Sequence, residues 1–161
     1  MRGGALPPAL LCVAFGFALA FAPRRWLGPC LALLAATAAA ASFLPIEKSW
    51  DDIIFLGCWI SVIVAAASVH LPAGVGPKWA SLLAINSGLW TGAVIAVAGS
   101  RLDLAASLPL ALICLPGAWI VARGRPIVLK VMASWLIAVS ILALSLQMAP
   151  TTPGYRPDHM D

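Results

Sequence analysis

Charged residues are scarce in this 161-residue chain. They make up 10% of it, whereas an average soluble domain has about 25%, and hydrophobic residues make up 62%. A chain with so few polar side chains cannot cover a water-soluble core, which excludes an ordinary soluble protein. The composition therefore indicates that lipid surrounds most of the chain.

Side chains that commonly carry out catalysis are equally rare. The chain has only two histidines, His70 and His159, and no GxSxG motif for a nucleophilic serine. Asp51 and Asp52 are adjacent, so on a helix their side chains would diverge by about 100°. The four cysteines stand alone, without a CxxC pair, at Cys12, Cys30, Cys58 and Cys114. The sequence therefore predicts no enzymatic activity, no cofactor and no metal site.

What the chain has instead is six long apolar stretches separated by short charged turns. The stretches cover residues 6–22, 27–44, 53–71, 79–99, 104–122 and 127–148, and no Asp, Glu or Arg lies deep inside any of them. A helix of about 20 apolar residues crosses about 30 Å of hydrocarbon. We therefore predict an all-α membrane protein, a bundle of six transmembrane helices over residues 1–148, with a short extended polar tail over 149–161.

Basic residues favour one set of turns. The first, third and fifth turns contain no acid and carry six basic residues: Arg24, Arg25, Lys78, Arg123, Arg125 and Lys130. All the acidic residues lie on the other side, with the termini. The positive-inside rule then predicts a multi-pass protein of the cell (inner) membrane with both termini outside the cytoplasm. Anionic headgroups explain the net charge of +4 better than a nucleic acid does.

Two of these turns resemble each other. Residues 23–26 and 76–79 both combine a proline, Lys or Arg, and a tryptophan between two apolar stretches. This similarity suggests three hairpins in series, although the chemistry of a membrane interface alone would favour the same residue types.

Small residues recur at every fourth position on several predicted helices. Lipid gives helices no hydrophobic reason to associate, so close approach across small side chains supplies the packing energy. The rows predicted to pack are Ala84, Gly88, Gly92 and Ala96 on the fourth helix, and Gly57, Ser61 and Ala65 on the third. Similar rows are Gly28, Ala32, Ala36 and Ala40 on the second helix, and Ser134, Ala138, Ile141 and Ser145 on the sixth.

Two further features concern the interior of predicted helices. Asn86 and Trp90 lie four residues apart on the fourth helix, nearly opposite its row of small residues, which predicts a central position for this helix. Pro116 and Gly117 lie within the fifth helix, where the proline cannot donate to the carbonyl of Leu112 and a kink is expected.

Two functions are compatible with these patterns. The first is a non-enzymatic membrane subunit or scaffold, which self-associates or docks on other membrane subunits through its rows of small residues. The alternative is a small permease or channel for an uncharged solute. Its path would be lined by the deepest polar side chains, Asn86, Ser87, Thr91 and Gln147.

Overall fold

The computed structural model describes residues 6–148, apart from the side chains of Lys48 and Arg101. The predicted polar tail at 149–161 lies outside the described residues. Within the described part every regular element is helical, and no strand is present. The all-helical fold class predicted from the sequence is therefore confirmed for this part of the chain.

Seven α-helices occupy the six apolar stretches. They are α1 (Leu6–Leu19), α2 (Leu27–Ser42), α3 (Asp51–Ser68), α4 (Pro77–Ala98), α5 (Arg101–Ser107), α6 (Cys114–Ala122) and α7 (Pro126–Met148). Short 3₁₀ turns, Arg24–Trp26 and Lys48–Trp50, precede α2 and α3, and the 3₁₀ segment Leu108–Ile113 joins α5 to α6. We refer to α5, this segment and α6 together as the fifth rod.

Four of these elements are long and apolar enough to cross a membrane: Asp51–Ser68, Pro77–Ala98, Leu102–Ala122 and Pro126–Met148. The described parts of α1 and α2 are shorter, with 14 and 16 residues. At 1.5 Å per residue they extend roughly 21 and 24 Å.

Local sequence signals fix where the later helices begin. Pro77 begins α4 directly after the extended residue Gly76, because the first turn of a helix does not need the N–H that proline lacks. Gly124 adopts φ 74° just before α7 begins at Pro126, a backbone conformation that suits glycine. Ser100 and Asp103 form a capping box at the start of α5, each side chain bonding the backbone of the other.

The fifth rod changes its helical geometry in the middle. The 3₁₀ segment Leu108–Ile113 ends shortly before Pro116, whose ring removes one backbone donor from α6. Gly117 is buried where α6 meets its neighbours. A Cβ atom there would lie 2.9 Å from Ala20 Cβ and 3.1 Å from Leu129 Cδ2.

The most deeply buried helix is α1. Ten of its residues are buried, among them Leu11, Cys12 and Phe15 with no exposed surface. It packs against α3, α4 and the 3₁₀ segment of the fifth rod. Within α1, Gly16 packs against this segment. A Cβ atom at Gly16 would lie 2.5 Å from Ile113 Cγ2 and 2.8 Å from the Ala111 carbonyl oxygen.

The pair of helices in most extensive contact is α2 and α4. Gly88 lies against Leu34 and Thr37, and Gly92 lies against Ala38 and Ala41. Because residue numbers rise together along both helices, α2 and α4 run parallel.

Other contacts set the remaining directions. Trp90 lies over Gly57 whereas Trp79 bonds Ser68, so α3 and α4 are antiparallel. His70 Nε2 lies 3.3 Å from Ser134 Oγ at one end of α3. At the other end of α3, one groove is lined by Asp52, Ile53 and Leu56 together with Gln147 and Met148 of α7. Therefore α3 and α7 are also antiparallel. The fifth rod runs parallel to α1, since Gly16 meets Ile113 and Ala20 meets Gly117.

These directions bring the odd-numbered turns to one end of the bundle, which we call the basic end. It carries Arg24, Arg25, Lys78, Arg123, Arg125 and Lys130, and the structure describes no acidic residue there. The opposite, mixed end carries Glu47, Lys48, Asp51, Asp52, Arg101 and Asp103. Charge is therefore divided between the ends as the sequence predicts.

The packing does not follow three hairpins in series. Among the helices of residues 6–148, α3 and α4 are the one consecutive pair in extensive contact. Helix α2 packs on α4 rather than on α1, and α6 has few contacts with α7. The physical reason is close approach: the glycines of α4 admit the backbone of α2, whereas α1 is enclosed by α3, α4 and the fifth rod.

Candidate functional site

A groove of about 430 Å³ lies between α3 and α4 on the outer surface of the bundle. The side chains along its rim are exposed and apolar: Leu82 is 57% exposed, Ile60 47% and Val64 40%. Three polar or aromatic side chains lie among them, namely Trp79, Asn86 and Trp90, together with Ser61 and Gly57 of α3.

Glycine at position 57 is what allows α4 to place an aromatic ring in the groove. A Cβ atom on Gly57 would overlap the six-membered ring of Trp90. Trp90 and Asn86 lie one helical turn apart on α4 and therefore share the face that meets α3. Gly57 and Ser61 have the same spacing on α3, so the two pairs come into register.

These side chains form a hydrogen-bonded chain across the two helices. Trp90 Nε1 donates to Asn86 Oδ1 at 3.2 Å, and Asn86 Nδ2 donates to Ser61 Oγ at 3.0 Å. An amide has two N–H donors and an oxygen with two lone pairs. Among the described residues, therefore, one N–H and one lone pair of Asn86 are left for a partner, and the side chain is only partly buried.

A second indole closes the groove toward the basic end. Trp79 Nε1 donates to Ser68 Oγ at 3.0 Å, and the Ser68 hydroxyl donates to the Val64 carbonyl at 2.8 Å. Both polar groups of this pair are thus satisfied within the protein. Among the described residues, two polar groups of this groove keep hydrogen-bonding capacity: the Asn86 amide and the Ser61 hydroxyl, whose O–H donates to no described group. Asn86 is the more exposed of the two and is therefore the side chain that a visiting group can reach.

The four polar residues predicted to line a solute path do not come together. Asn86 faces α3 in the groove, whereas Ser87 and Thr91 are fully buried on another side of α4. Thr91 Oγ1 lies 4.0 Å from Cys12 Sγ in α1, and Ser87 Oγ has no hydrogen-bond partner among the described residues. Gln147 is exposed near the end of α7. The four side chains thus occupy three separate places.

Most of the small residues predicted to pack helices on α3 and α4 are buried, but the last member of the row on α4 is not. Ala84, Gly88 and Gly92 are buried, and both glycines contact α2, but Ala96 is exposed. Four residues advance a helix by about 400°, so a row at this spacing rotates about 40° per step and its last member leaves the interface. On α3, Ser61 and Ala65 are buried and Gly57 is partly buried beneath Trp90.

The other two rows of small residues face outward. Gly28, Ala32, Ala36 and Ala40 on α2 are all exposed, and so are Ser134, Ala138, Ile141 and Ser145 on α7. The buried face of α2 is formed instead by Leu27, Cys30, Leu34, Ala38 and Ala41. Spacing alone identified the small residues but could not identify the face that packs.

The groove offers hydrogen bonding and shape rather than reactive groups. Among residues 6–148, no three His, Cys, Asp or Glu side chains are close enough to hold a metal ion together. The groove itself contains hydroxyl, amide and indole groups in an apolar frame. This set can recognise a hydrogen-bonding partner with an apolar surface.

Sequence reasoning identified Asn86 but not the groove around it. The spacing of residues along α3 and α4 does not by itself predict the contacts of Trp90 with Gly57 and of Trp79 with Ser68. The sequence does contain a pattern that indicates these contacts. When α3 and α4 are aligned antiparallel, a small residue of α3 lies opposite each of the two tryptophans of α4. No family model, curated protein or solved structure matches this chain.

Proposed function

We propose that this protein is a non-enzymatic subunit of the cell membrane that self-associates through the α3/α4 groove. The observation that carries the proposal is the partly buried amide of Asn86 at the middle of an apolar helix face. Within the part of the chain that the structure describes, one N–H and one lone pair of this amide have no partner. In hydrocarbon no water is available to such groups, so a protein partner lowers their free energy.

An amide is self-complementary, which favours a second copy of the chain as the partner. When two Asn86 side chains are related by a two-fold axis, the unused N–H of each can donate to the unused lone pair of the other. The apolar rim of the groove, formed by Leu82, Ile60 and Val64, would pack against the same residues of the second copy. Helix pairs in membranes combine apolar packing with hydrogen bonds of this kind.

The proposal includes six membrane crossings with the basic end in the cytoplasm. Helices α1 and α2 are short, yet each runs between the basic end and the mixed end that the longer helices define. Both are composed almost entirely of apolar residues, as the longer helices are. A path for an uncharged solute finds less support, because the polar side chains expected along it lie in separate places.

Self-association can be measured with the full-length protein in a mild detergent. Asn86→Leu is expected to weaken the dimer by about tenfold, since each interhelical hydrogen bond is worth roughly 0.6–2 kcal/mol. Gln147→Leu is the control, because it also replaces a side-chain amide by leucine but lies outside the groove, at an exposed position near the end of α7. An unchanged dissociation constant for Asn86→Leu would contradict the proposal.

A crosslinking experiment tests the same interface without altering Asn86. Leu82→Cys at the groove and Leu142→Cys on α7 replace leucines of similar exposure, 57% and 61%. The native cysteines are all buried, so the wild-type chain reports the background reaction. A short bifunctional maleimide applied to membranes should join two copies of Leu82→Cys in preference to Leu142→Cys. Equal crosslinking at both positions would argue against this groove.

A further inference from the structure

A second groove lies at the basic end, between α6 and α7. It has a volume of about 500 Å³ and is lined by Trp119, Ile120, Arg123, Arg125 and Val128. It shares no residue with the α3/α4 groove, so a ligand can bind there whether or not the protein self-associates.

One arginine of this groove is held in position by an aromatic ring. The guanidinium carbon of Arg123 lies 3.7 Å from the centroid of the Trp119 ring, one helical turn earlier. Stacking of this kind restricts the long side chain while leaving the guanidinium edge free to bond. Arg123 is therefore oriented before any ligand arrives.

The turn that follows brings a second arginine to the same groove. Gly124 adopts φ 74°, and the N–H of Arg125 donates back to the Ile120 carbonyl at 3.2 Å. This reversal places Arg123 and Arg125 along one groove. Two guanidinium groups can donate several hydrogen bonds to the oxygens of a phosphate.

The surroundings of this groove favour an anion that carries an apolar tail. Among the described residues the basic end has no acid that could neutralise the two arginines. Beneath them, Ile120 and Val128 give the groove apolar walls, and the exposed side chains of Ile127 and Val131 extend that surface along α7. A free phosphate would use the arginines but leave the apolar walls uncovered.

We propose that this groove binds an anionic phospholipid. The phosphate of the headgroup bonds Arg123 and Arg125, and an acyl chain lies along Ile120 and Val128. Membrane leaflets with anionic headgroups attract basic side chains at about this depth, at the ends of transmembrane helices.

The test measures lipid retention by the purified full-length protein with native mass spectrometry. The probe is phosphatidylglycerol, with phosphatidylcholine as the zwitterionic comparison. The double variant R123Q/R125Q is expected to retain phosphatidylglycerol about tenfold to thirtyfold less well than the wild type. Trp119→Leu keeps an apolar side chain but removes the stacking ring, and a loss of about twofold to fivefold is expected.

The matched control is R24Q/R25Q, which removes two exposed arginines from the same end of the bundle. It should retain phosphatidylglycerol nearly as well as the wild type. If R24Q/R25Q lost as much phosphatidylglycerol as R123Q/R125Q, the binding would come from the general positive charge of this end and not from the groove. If the wild type retained phosphatidylcholine as well as phosphatidylglycerol, the negative charge of the lipid would not matter. Displacement of the lipid by millimolar inorganic phosphate would identify a phosphate site instead. Each of these three results overturns the proposal.

Discussion

Replacing Gly92 with leucine is expected to force α2 away from α4 and to lower the free energy of unfolding by about 2–3 kcal/mol. At this position even a Cβ atom would overlap the Ala38 carbonyl oxygen, and it would lie 2.6 Å from Ala41 Cβ and 3.0 Å from the backbone nitrogen of Ser42. Two of these atoms belong to the backbone, so rotation of a side chain cannot relieve the overlap.

The effect should be large because, in the membrane proposed for this protein, packing is the principal force between these helices. Water expulsion contributes little when lipid already surrounds the unpacked helices, so separation by even 1 Å loses dispersion energy that nothing replaces. Gly88→Leu should act in the same way, since Gly88 lies against Thr37 and the Leu34 carbonyl on the same helix pair.

Thermal or steric-trap unfolding in detergent would measure the loss, and Gly28→Leu supplies the control. Gly28 lies on the exposed face of α2, where an added Cβ atom has nothing within 4 Å. That variant should remain within about 0.5 kcal/mol of the wild type. Comparable destabilisation by both substitutions would show that α2 and α4 do not approach through Gly92.

Replacing Leu11 with alanine is expected to lower the free energy of unfolding by about 1–3 kcal/mol. Leu11 has no exposed surface and belongs to α1, the most enclosed helix of the bundle. In a soluble protein such a substitution costs about 2.7–5.0 kcal/mol, part of which is transfer from water. That part nearly vanishes in lipid, and the cost of the cavity remains.

The control for this second prediction is Leu142→Ala on α7. Leu142 is 61% exposed, so its truncation leaves no cavity and should change stability by less than about 0.5 kcal/mol. The same unfolding assay serves both variants. If Leu142→Ala were the more damaging of the two, α1 would not be the centre of the bundle.

The positions of the helices follow from the sequence to within a few residues. The stretch 79–99 corresponds to α4 at Pro77–Ala98, and the stretch 127–148 corresponds to α7 at Pro126–Met148. Long apolar runs define these helices, while proline and glycine mark their ends, so local information is enough.

The packing of the helices is where sequence reasoning was least complete. α1 is apolar on every side, and in lipid an apolar helix can be either enclosed or peripheral. Its central position depends on Gly16 fitting against the Ala111 carbonyl, a contact between residues far apart in the chain. The pairing of α2 with α4 is equally non-local.

The candidate site could be predicted in part. Asn86 and Trp90 were expected on the side of α4 away from its glycines, and they do face α3 while Gly88 faces α2. Helical geometry alone gives that result. The groove itself requires knowing that Gly57 stands opposite Trp90, which depends on the register between two helices rather than on either sequence.

The most direct test of the account determines on which side of the membrane the turns lie. Arg25, Glu47 and Gly124 are exposed residues near the ends of helices, so each can be replaced by a reactive cysteine. The native cysteines are buried and should react little. A membrane-impermeant maleimide added to intact cells should label Glu47→Cys, and it should label Arg25→Cys and Gly124→Cys only after permeabilisation. Labelling of Arg25→Cys and Glu47→Cys from the same side would mean that α2 does not cross the membrane, and the six-crossing bundle would be contradicted.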